Sequence, residues 1–263
     1  MKNFDNKVVW ITGASSGIGR EMAIQLSKRG AHIILSARSE KGLEQTLKQL
    51  NPGNHLILPL DMEVIDSFPK KVNQVFEKYN QLDLMFHNAG ISQRSYIADT
   101  TLEVDKRLMD VNYFGTVALT KELLPHLRKQ TQSYIAVNSS LGAKFGFYER
   151  SAYAASKFAL HGFFETLMLE EFENNIGVSM LCAVGIKTEI SQNALDGSGS
   201  KYGKESALQE DGIDVDTCVA QMIKGIENKM PEVIIGKGMQ NHSVKIKALF
   251  PKLFLKMLRK NKP

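Results

Sequence analysis

Apolar runs rich in Val, Ile and Leu recur seven times along the chain, near residues 7–13, 32–38, 55–61, 82–90, 134–140, 177–184 and 232–236. Helical periodicity fills the gaps, around 18–29, 40–50, 64–79, 101–130, 152–174 and 214–229. Strands that are apolar on both faces need cover on both faces, and strand–helix alternation supplies it through parallel crossovers. The pattern predicts an α/β fold: one Rossmann-like, doubly wound domain of about seven parallel strands with helices on both sides. At 263 residues, a single core accommodates the chain. In such sheets ligands bind beyond the carboxyl ends of the strands, so residues just after strands are the ones to inspect.

The turn after the first strand reads TGASSGIGRE. It places Gly13, Ser15, Ser16, Gly17, Ile18 and Gly19 at the opening of a helix. Glycines let the backbone approach a pyrophosphate, and the helix start offers free N–H groups and the positive end of its dipole. This is a dinucleotide cradle spaced GxxxGxG. An NAD-selective site carries an acid at the end of the second strand, where it bonds the ribose hydroxyls. Here that strand ends Ser36, Ala37, Arg38. A guanidinium at Arg38, with Arg20 directly after Gly19, suits a 2′-phosphate, which points to NADP(H). Asp61 and Met62, closing the third strand, are placed against the adenine.

Tyr153 and Lys157 stand four residues apart within SAYAASK and share one face of a helix. An ammonium in that position lowers the pKa of the phenol from its reference near about 10, which makes the tyrosine usable as an acid or base. Ser151 is positioned to cap the helix. Ser140 ends the fifth strand thirteen residues before Tyr153, Asn112 sits in the preceding long helix, and Asn88, Ala89 and Gly90 follow the fourth strand.

This ordered set, from TGASSGIG through NAG, Asn112, Ser140, Tyr153 and Lys157, resembles the short-chain dehydrogenase/reductase family from residue 7 to about 190. The resemblance implies roles. Tyr153 exchanges a proton with a carbonyl or alcohol oxygen, and Ser140 hydrogen-bonds that oxygen. Lys157 holds the nicotinamide ribose, and Asn112 anchors a water in a proton relay. Gly185 and Thr188 approach the nicotinamide. The reaction is hydride transfer between NADP(H) and a carbonyl or secondary alcohol. Two departures stand out: His87 replaces the first Asn of the family's NNAG, and Val184 replaces a proline before Gly185. A looser resemblance, carried by NAGISQRS and the basic tail, is to the family's membrane-associated, NADP-dependent branch. The family also implies a homodimer or homotetramer, paired through the helices around 101–130 and 152–174.

The remaining expectations concern the periphery. Residues 191–214 form the longest irregular stretch and are expected to be a substrate lid. Segments 91–95 and 141–148, with Phe145, Phe147 and Tyr148, suggest walls for an apolar substrate. The net charge is +5, yet residues 237–263 hold eight basic side chains and no acid, so the catalytic domain, 1–236, is acidic. Apolar residues recur at helical spacing in this tail, which suits either the surface of an anionic membrane or packing on the substrate mouth. Basic charge confined to the tail argues against nucleic-acid binding. Cys182 and Cys218 lack metal-ligand spacing, so no metal is expected, and two lone thiols suit a reducing compartment, here the cytoplasm. A cofactor-binding sensor without turnover is the alternative reading; the intact Asn112, Ser140, Tyr153 and Lys157 argue against it.

Overall fold

The computed structural model describes residues 3–204, 210–260 and 262. Its strands are β1 (Val8–Thr12), β2 (His32–Ser36), β3 (Leu56–Ile57), β4 (Leu84–His87), β5 (Ser133–Ser140), β6 (Ile176–Ala183) and β7 (Glu232–Ile235). They form one seven-stranded parallel sheet in the order β3-β2-β1-β4-β5-β6-β7. The helices that carry the crossovers are α1 (Gly17–Ser27), α2 (Glu40–Leu47), α3 (Phe68–Tyr79), α4 (Leu102–Met109), α5 (Gly115–Leu127), α6 (Ser151–Glu170) and α7 (Val215–Glu227). The chain ends in α8 (Ser243–Leu249) and α9 (Pro251–Lys260).

The two-residue period of a strand sorts its side chains into two cores. Val9 and Ile11 join Ile33, Leu35, Leu84 and Phe86 beneath Met22 and Leu26 of α1 and Met222 and Ile223 of α7. Val8 and Trp10 face the other way, with Ile34, Met85 and Ile135, against Phe68 and Val72 of α3, Leu119 and Leu123 of α5 and Phe164 of α6. Trp10 is fully buried, and its indole N–H donates to Ser36 Oγ at 2.8 Å, so its one polar atom is satisfied.

The long helix expected over 101–130 is divided. A π-helical segment, Asp110–Phe114, separates α4 from α5, and Asn112 lies at its centre. Such a segment adds a residue to the turn and changes the direction in which side chains leave the helix; π-bulges recur at functional sites for this reason.

His87 is 3% exposed, with Nε2 2.9 Å from Thr120 Oγ1. Burial pushes its pKa down to about 3. An unfolded histidine protonates near about pH 6.5. The stability contributed by keeping His87 neutral is therefore complete above that pH and is lost as the pH falls toward the folded value. The slope is about 1.4 kcal/mol per pH unit. Thermal melts between pH 7 and 4 are expected to fall more steeply for the parent than for His87→Asn; parallel curves would show that His87 does not titrate this way.

Candidate active site

The strand order reverses between β1 and β4, and a cleft of ≈ 660 Å³ opens beyond their carboxyl ends. The turn after β1 forms its floor. Gly13 and Gly17 have φ of +67° and +50°, the left-handed region that favours glycine. At Gly19 a Cβ would lie 2.3 Å from the carbonyl oxygen of Gly13 and 2.5 Å from Asn88 Nδ2. Those atoms belong to main chain and to a bonded carboxamide, so they have no room to give. Asn88 Nδ2 donates to the carbonyls of Thr12 and Gly13 at 3.0 and 3.2 Å, and its Oδ1 accepts from Asn138 Nδ2 at 2.8 Å. One carboxamide thus joins the ends of β1, β4 and β5.

Gly13, Ser15, Ser16, Gly17, Ile18, Arg38, Asp61, Met62, Asn88, Ala89, Gly90 and Thr188 line this cleft, and Gly185 does not. The shape fits a dinucleotide: a glycine floor without side chains at a helix start, with a cation at the second strand's end. Arg38 is largely exposed and only loosely paired, 3.9 Å from Glu63. Asp61 Oδ1 accepts from the Glu63 N–H at 3.1 Å, so its turn chemistry coexists with its place in the wall. Gly185 has φ of +60°, and its carbonyl accepts from Ile213 N–H at 2.8 Å. The glycine is therefore retained for its backbone even though Val184 stands where the proline would be. Arg20 sits differently from expectation. Its guanidinium turns inward to the carbonyl of Ser15 and, through Nε at 3.3 Å, to Thr46 Oγ1, so it braces the glycine turn from behind.

Asn112, Ser140, Tyr153 and Lys157 do not line the cleft themselves but gather behind its wall, where Asn112 bonds Ile91 and Lys157 bonds Asn138, two residues that do line it. Asn112 Oδ1 accepts from Ile91 N–H at 2.8 Å, and its Nδ2 donates to Ile91 O at 3.0 Å and to Ser156 Oγ at 2.9 Å. Ser156 in turn donates to the carbonyl of Tyr153 at 2.8 Å. The π segment thereby holds the loop after β4 and the first turns of α6 in one frame. Ser140 is 8% exposed, its Oγ accepts from Gly142 N–H at 3.0 Å, and its side chain and the Tyr153 ring meet over Gly142. Lys157 Nζ donates to Asn138 O at 2.9 Å and lies 5.8 Å from the centre of the Tyr153 ring.

The electrostatics differ from the sequence expectation. Burial raises the Tyr153 pKa; the Ser140 hydroxyl and the charge of Arg150 act against that rise, and the Cys182 thiol adds slightly to it. Lys157 is not among the groups that lower the phenol's pKa: burial pulls its own pKa down to about 8, and its ammonium is turned toward Asn138. Arg150 and Gln93 were not foreseen. Gln93 falls in segment 91–95, read from the sequence as a pocket wall, and Arg150 in no motif; only the fold brings both to Tyr153. Ser151 does not cap α6 either: the helix begins at Ser151 itself, and the capping position falls to Arg150, whose side chain makes no cap bond.

The pocket walls also differ. Phe145 is 5% exposed and packs on Phe147 and on Phe254 of α9, with ring centroids 4.9 and 4.7 Å apart. Those aromatics hold the tail rather than face a substrate. The apolar lining beside the inner cleft is Ile91 and Ile190, with Ser92, Asn193 and Lys201. The stretch expected to be a lid is pinned at Leu195, which bridges to Gln93 and Lys201; residues 205–209 of it lie outside the described residues. His161, Cys182 and Glu232 gather within 4.8 Å, a grouping no spacing announced. The Lys144 ammonium already serves that group, bonding Glu232 and, at 3.1 Å, His161 Nδ1.

The family described as short chain dehydrogenase matches residues 7–198. The chain belongs to it, and is a dehydrogenase/reductase that works with a nicotinamide cofactor. A Drosophila melanogaster protein, "Dehydrogenase/reductase SDR family protein 7-like", is 38% identical over 97% of this chain and 80% of its own length. The human "Dehydrogenase/reductase SDR family member 7" is 39% identical over 88% of this chain and 70% of its own. Among solved structures, a Burkholderia phymatum short-chain dehydrogenase in complex with NAD superposes with a TM-score of 0.84 at 19% identity, covering 96% of each chain. A Burkholderia cenocepacia relative in complex with NADP gives 0.80 at 20% identity, over 97% of this chain and 98% of its own. These two share the fold.

Gly19→Ala is expected to destabilise the protein by about 1–3 kcal/mol and to abolish saturable cofactor binding. Gly146→Ala, whose Cβ meets nothing within 4 Å, serves as the neutral control. Thermal melts and fluorescence titration with NADPH check both; a Gly19→Ala protein that still binds would refute the close-packing account.

Proposed function

We propose that this protein is an NADP(H)-dependent oxidoreductase that interconverts an apolar carbonyl compound and its secondary alcohol, with Tyr153 as the acid and base. The observation that carries the reading is the bond network of Asn112, Ser156 and Tyr153 at the start of α6, with Lys157 one turn on donating to Asn138 in the cleft wall. Ser140 would donate a hydrogen bond to the substrate oxygen and steady the charge that develops there. Tyr153 would protonate that oxygen. Its raised pKa keeps the phenol protonated at neutral pH, which suits carbonyl reduction. Lys157 and Asn112 would return the proton from solvent and orient the nicotinamide ribose. When bound, the nicotinamide supplies or accepts the hydride.

NADP(H) is favoured over NAD(H) by Arg38, an exposed guanidinium in the cleft wall where an acid would otherwise bond the ribose. Gly13, Ser15, Ser16, Gly17, Ile18 and Gly19 would cradle the pyrophosphate. Ile91 and Ile190 support an apolar flank on the substrate.

The test follows NADPH consumption with a panel of ketones, aldehydes and diketones. Tyr153→Phe is expected to lose at least about 100-fold in kcat while binding NADPH normally. Arg38→Glu is expected to raise the NADPH KM by about 10- to 100-fold and to leave NADH unharmed. Alcohol oxidation should climb with pH, because Tyr153 must ionise to act as base. Tight NADPH binding without any turnover would instead favour the sensor reading.

We also propose that the tail, 237–263, docks the enzyme from the cytoplasmic side on an anionic phospholipid surface. One face of it is spent on the protein: Phe254 is 5% exposed, and Val244, Ile246 and Leu258 pack around the same cluster with Leu141 and Phe145. The other presents Leu249, Phe250 and Leu253, all more than half exposed, among Lys245, Lys252 and Lys256. Basic residues near such a surface contribute about 1 kcal/mol each. Sedimentation with vesicles containing phosphatidylserine should carry the protein down at low salt and release it at high salt, and a Phe250→Ser, Leu253→Ser double variant should stay in solution. Binding by the double variant equal to the parent would exclude the tail as the anchor. Self-association through the helices spanning 101–130 and 152–174 belongs to the same proposal, supported by exposed Phe114 of the π segment and Phe158 and Leu169 of α6.

A further inference from the structure

The catalytic helix lacks a cap of its own. The first N–H groups of a helix have no partner within it, and a side chain at the capping position ordinarily accepts from the second or third. At α6 those are the N–H groups of Ala152 and Tyr153, and Arg150 at the capping position leaves both unserved. Gln93, from the loop after β4, supplies the acceptor instead: its Oε1 lies 3.2 Å from Ala152 N and 3.5 Å from Tyr153 N. The residue is fully buried, and its Nε2 donates to Ser151 Oγ at 3.3 Å and to Ser95 and Thr100 at 3.2 Å.

The same junction holds the start of the lid. The main chain of Ser92–Arg94 pairs with Leu195, through Arg94 N to Leu195 O at 2.7 Å and Leu195 N to Ser92 O at 2.8 Å. Arg150 crosses all three segments. Its guanidinium donates to Ser92 Oγ, to Gln93 O at 2.8 Å and to Ser191 Oγ at 3.3 Å, and Ser92 and Ser191 are buried. Arg94 pairs with Glu149 at 2.9 Å on the outer side and stacks over Tyr202.

We propose that Gln93 and Arg150 are positioning residues: together they set the first turn of α6, and hence Tyr153, against the loop after β4 and the lid. The proposal rests on Tyr153 being the acid and base. Gln93 fixes the height of Tyr153 along α6, since the cap is made to the N–H of that residue. Arg150 fixes the lid to the same point and places a buried positive charge near the phenol. A displacement of about 1 Å in such a group can cost about 100-fold in rate. The groups that face Tyr153 are Ser140 from β5, Lys157 from α6, Arg150 just before it and Cys182 from β6; those facing Arg150 are Arg94, Glu149 and Tyr202. Loss of the Arg150 cation would leave burial less opposed, so Tyr153 would ionise at higher pH.

Four variants test this: Gln93→Leu, Gln93→Glu, Arg150→Met and Arg150→Lys. Gln93→Leu is expected to lower kcat by about 10- to 100-fold, leave the NADPH Kd within about twofold, and speed amide exchange at Ala152 and Tyr153. Gln93→Glu, which keeps an acceptor, is expected to restore most of the protection. Arg150→Met should move the acid limb of alcohol oxidation to higher pH, and Arg150→Lys should bring it back. Unchanged exchange in Gln93→Leu together with an unmoved limb in Arg150→Met would overturn the proposal. If Gln93→Leu fails to fold, exchange in Gln93→Glu and the limb in Arg150→Met decide alone. If the parent shows no turnover at all, the proposed function fails while amide exchange still reports on the cap.

Discussion

The carboxamide of Asn88 is the interaction on which the rest of the site depends. Reversal of strand order leaves the ends of β1 and β4 side by side with main-chain carbonyls that no further strand can satisfy. Asn88 donates to two of them, at Thr12 and Gly13, and accepts from Asn138 in β5. The glycine floor keeps its shape because those carbonyls are held. Asn138 carries the effect further, since its own carbonyl receives the Lys157 ammonium. One half-buried amide therefore ties the cofactor end of the cleft to the proton-transfer end.

Stability and function pull against each other in the same region. His87 and Tyr153 are each held in the neutral form that burial prefers, and burial pulls the Lys157 pKa down to about 8 without discharging its ammonium at neutral pH. Desolvation of this kind costs free energy, and proteins accept it where a proton must move between groups with tuned affinities. The network around Asn112 offsets part of that cost by leaving no dangling donor between the π segment and α6.

Much of this was legible in the chain. The glycine turn and Asn88 follow strands and Tyr153 and Lys157 share one helix face, where local pattern and spacing carry the signal; Asn112 and Ser140 stood out through the resemblance of the ordered motif set. The seven strands were legible for a related reason, since burial on both faces forces near-continuous apolar runs. Gln93 and Arg150 were not, because their partners are 58 to 60 and 41 to 58 residues distant in sequence. Phe145 reads as a substrate wall from its position after β5, yet it meets Phe254 across the chain. Arg20 follows the glycine turn as a phosphate ligand might, and only the neighbouring α2 explains why it points inward.

By itself, the sequence determined the class of fold through its strand and helix periodicity, and the family through an ordered motif set, whose resemblance implies which residues hold a dinucleotide and exchange a proton. Tertiary structure decided which cation tempers Tyr153, what caps its helix, where the tail spends its apolar face and which aromatics are free to meet a substrate. The physical reason is the range of the interactions. Backbone preference and amphipathic pattern act over one turn or one strand, whereas electrostatic neighbours and trans caps exist only after distant segments have packed.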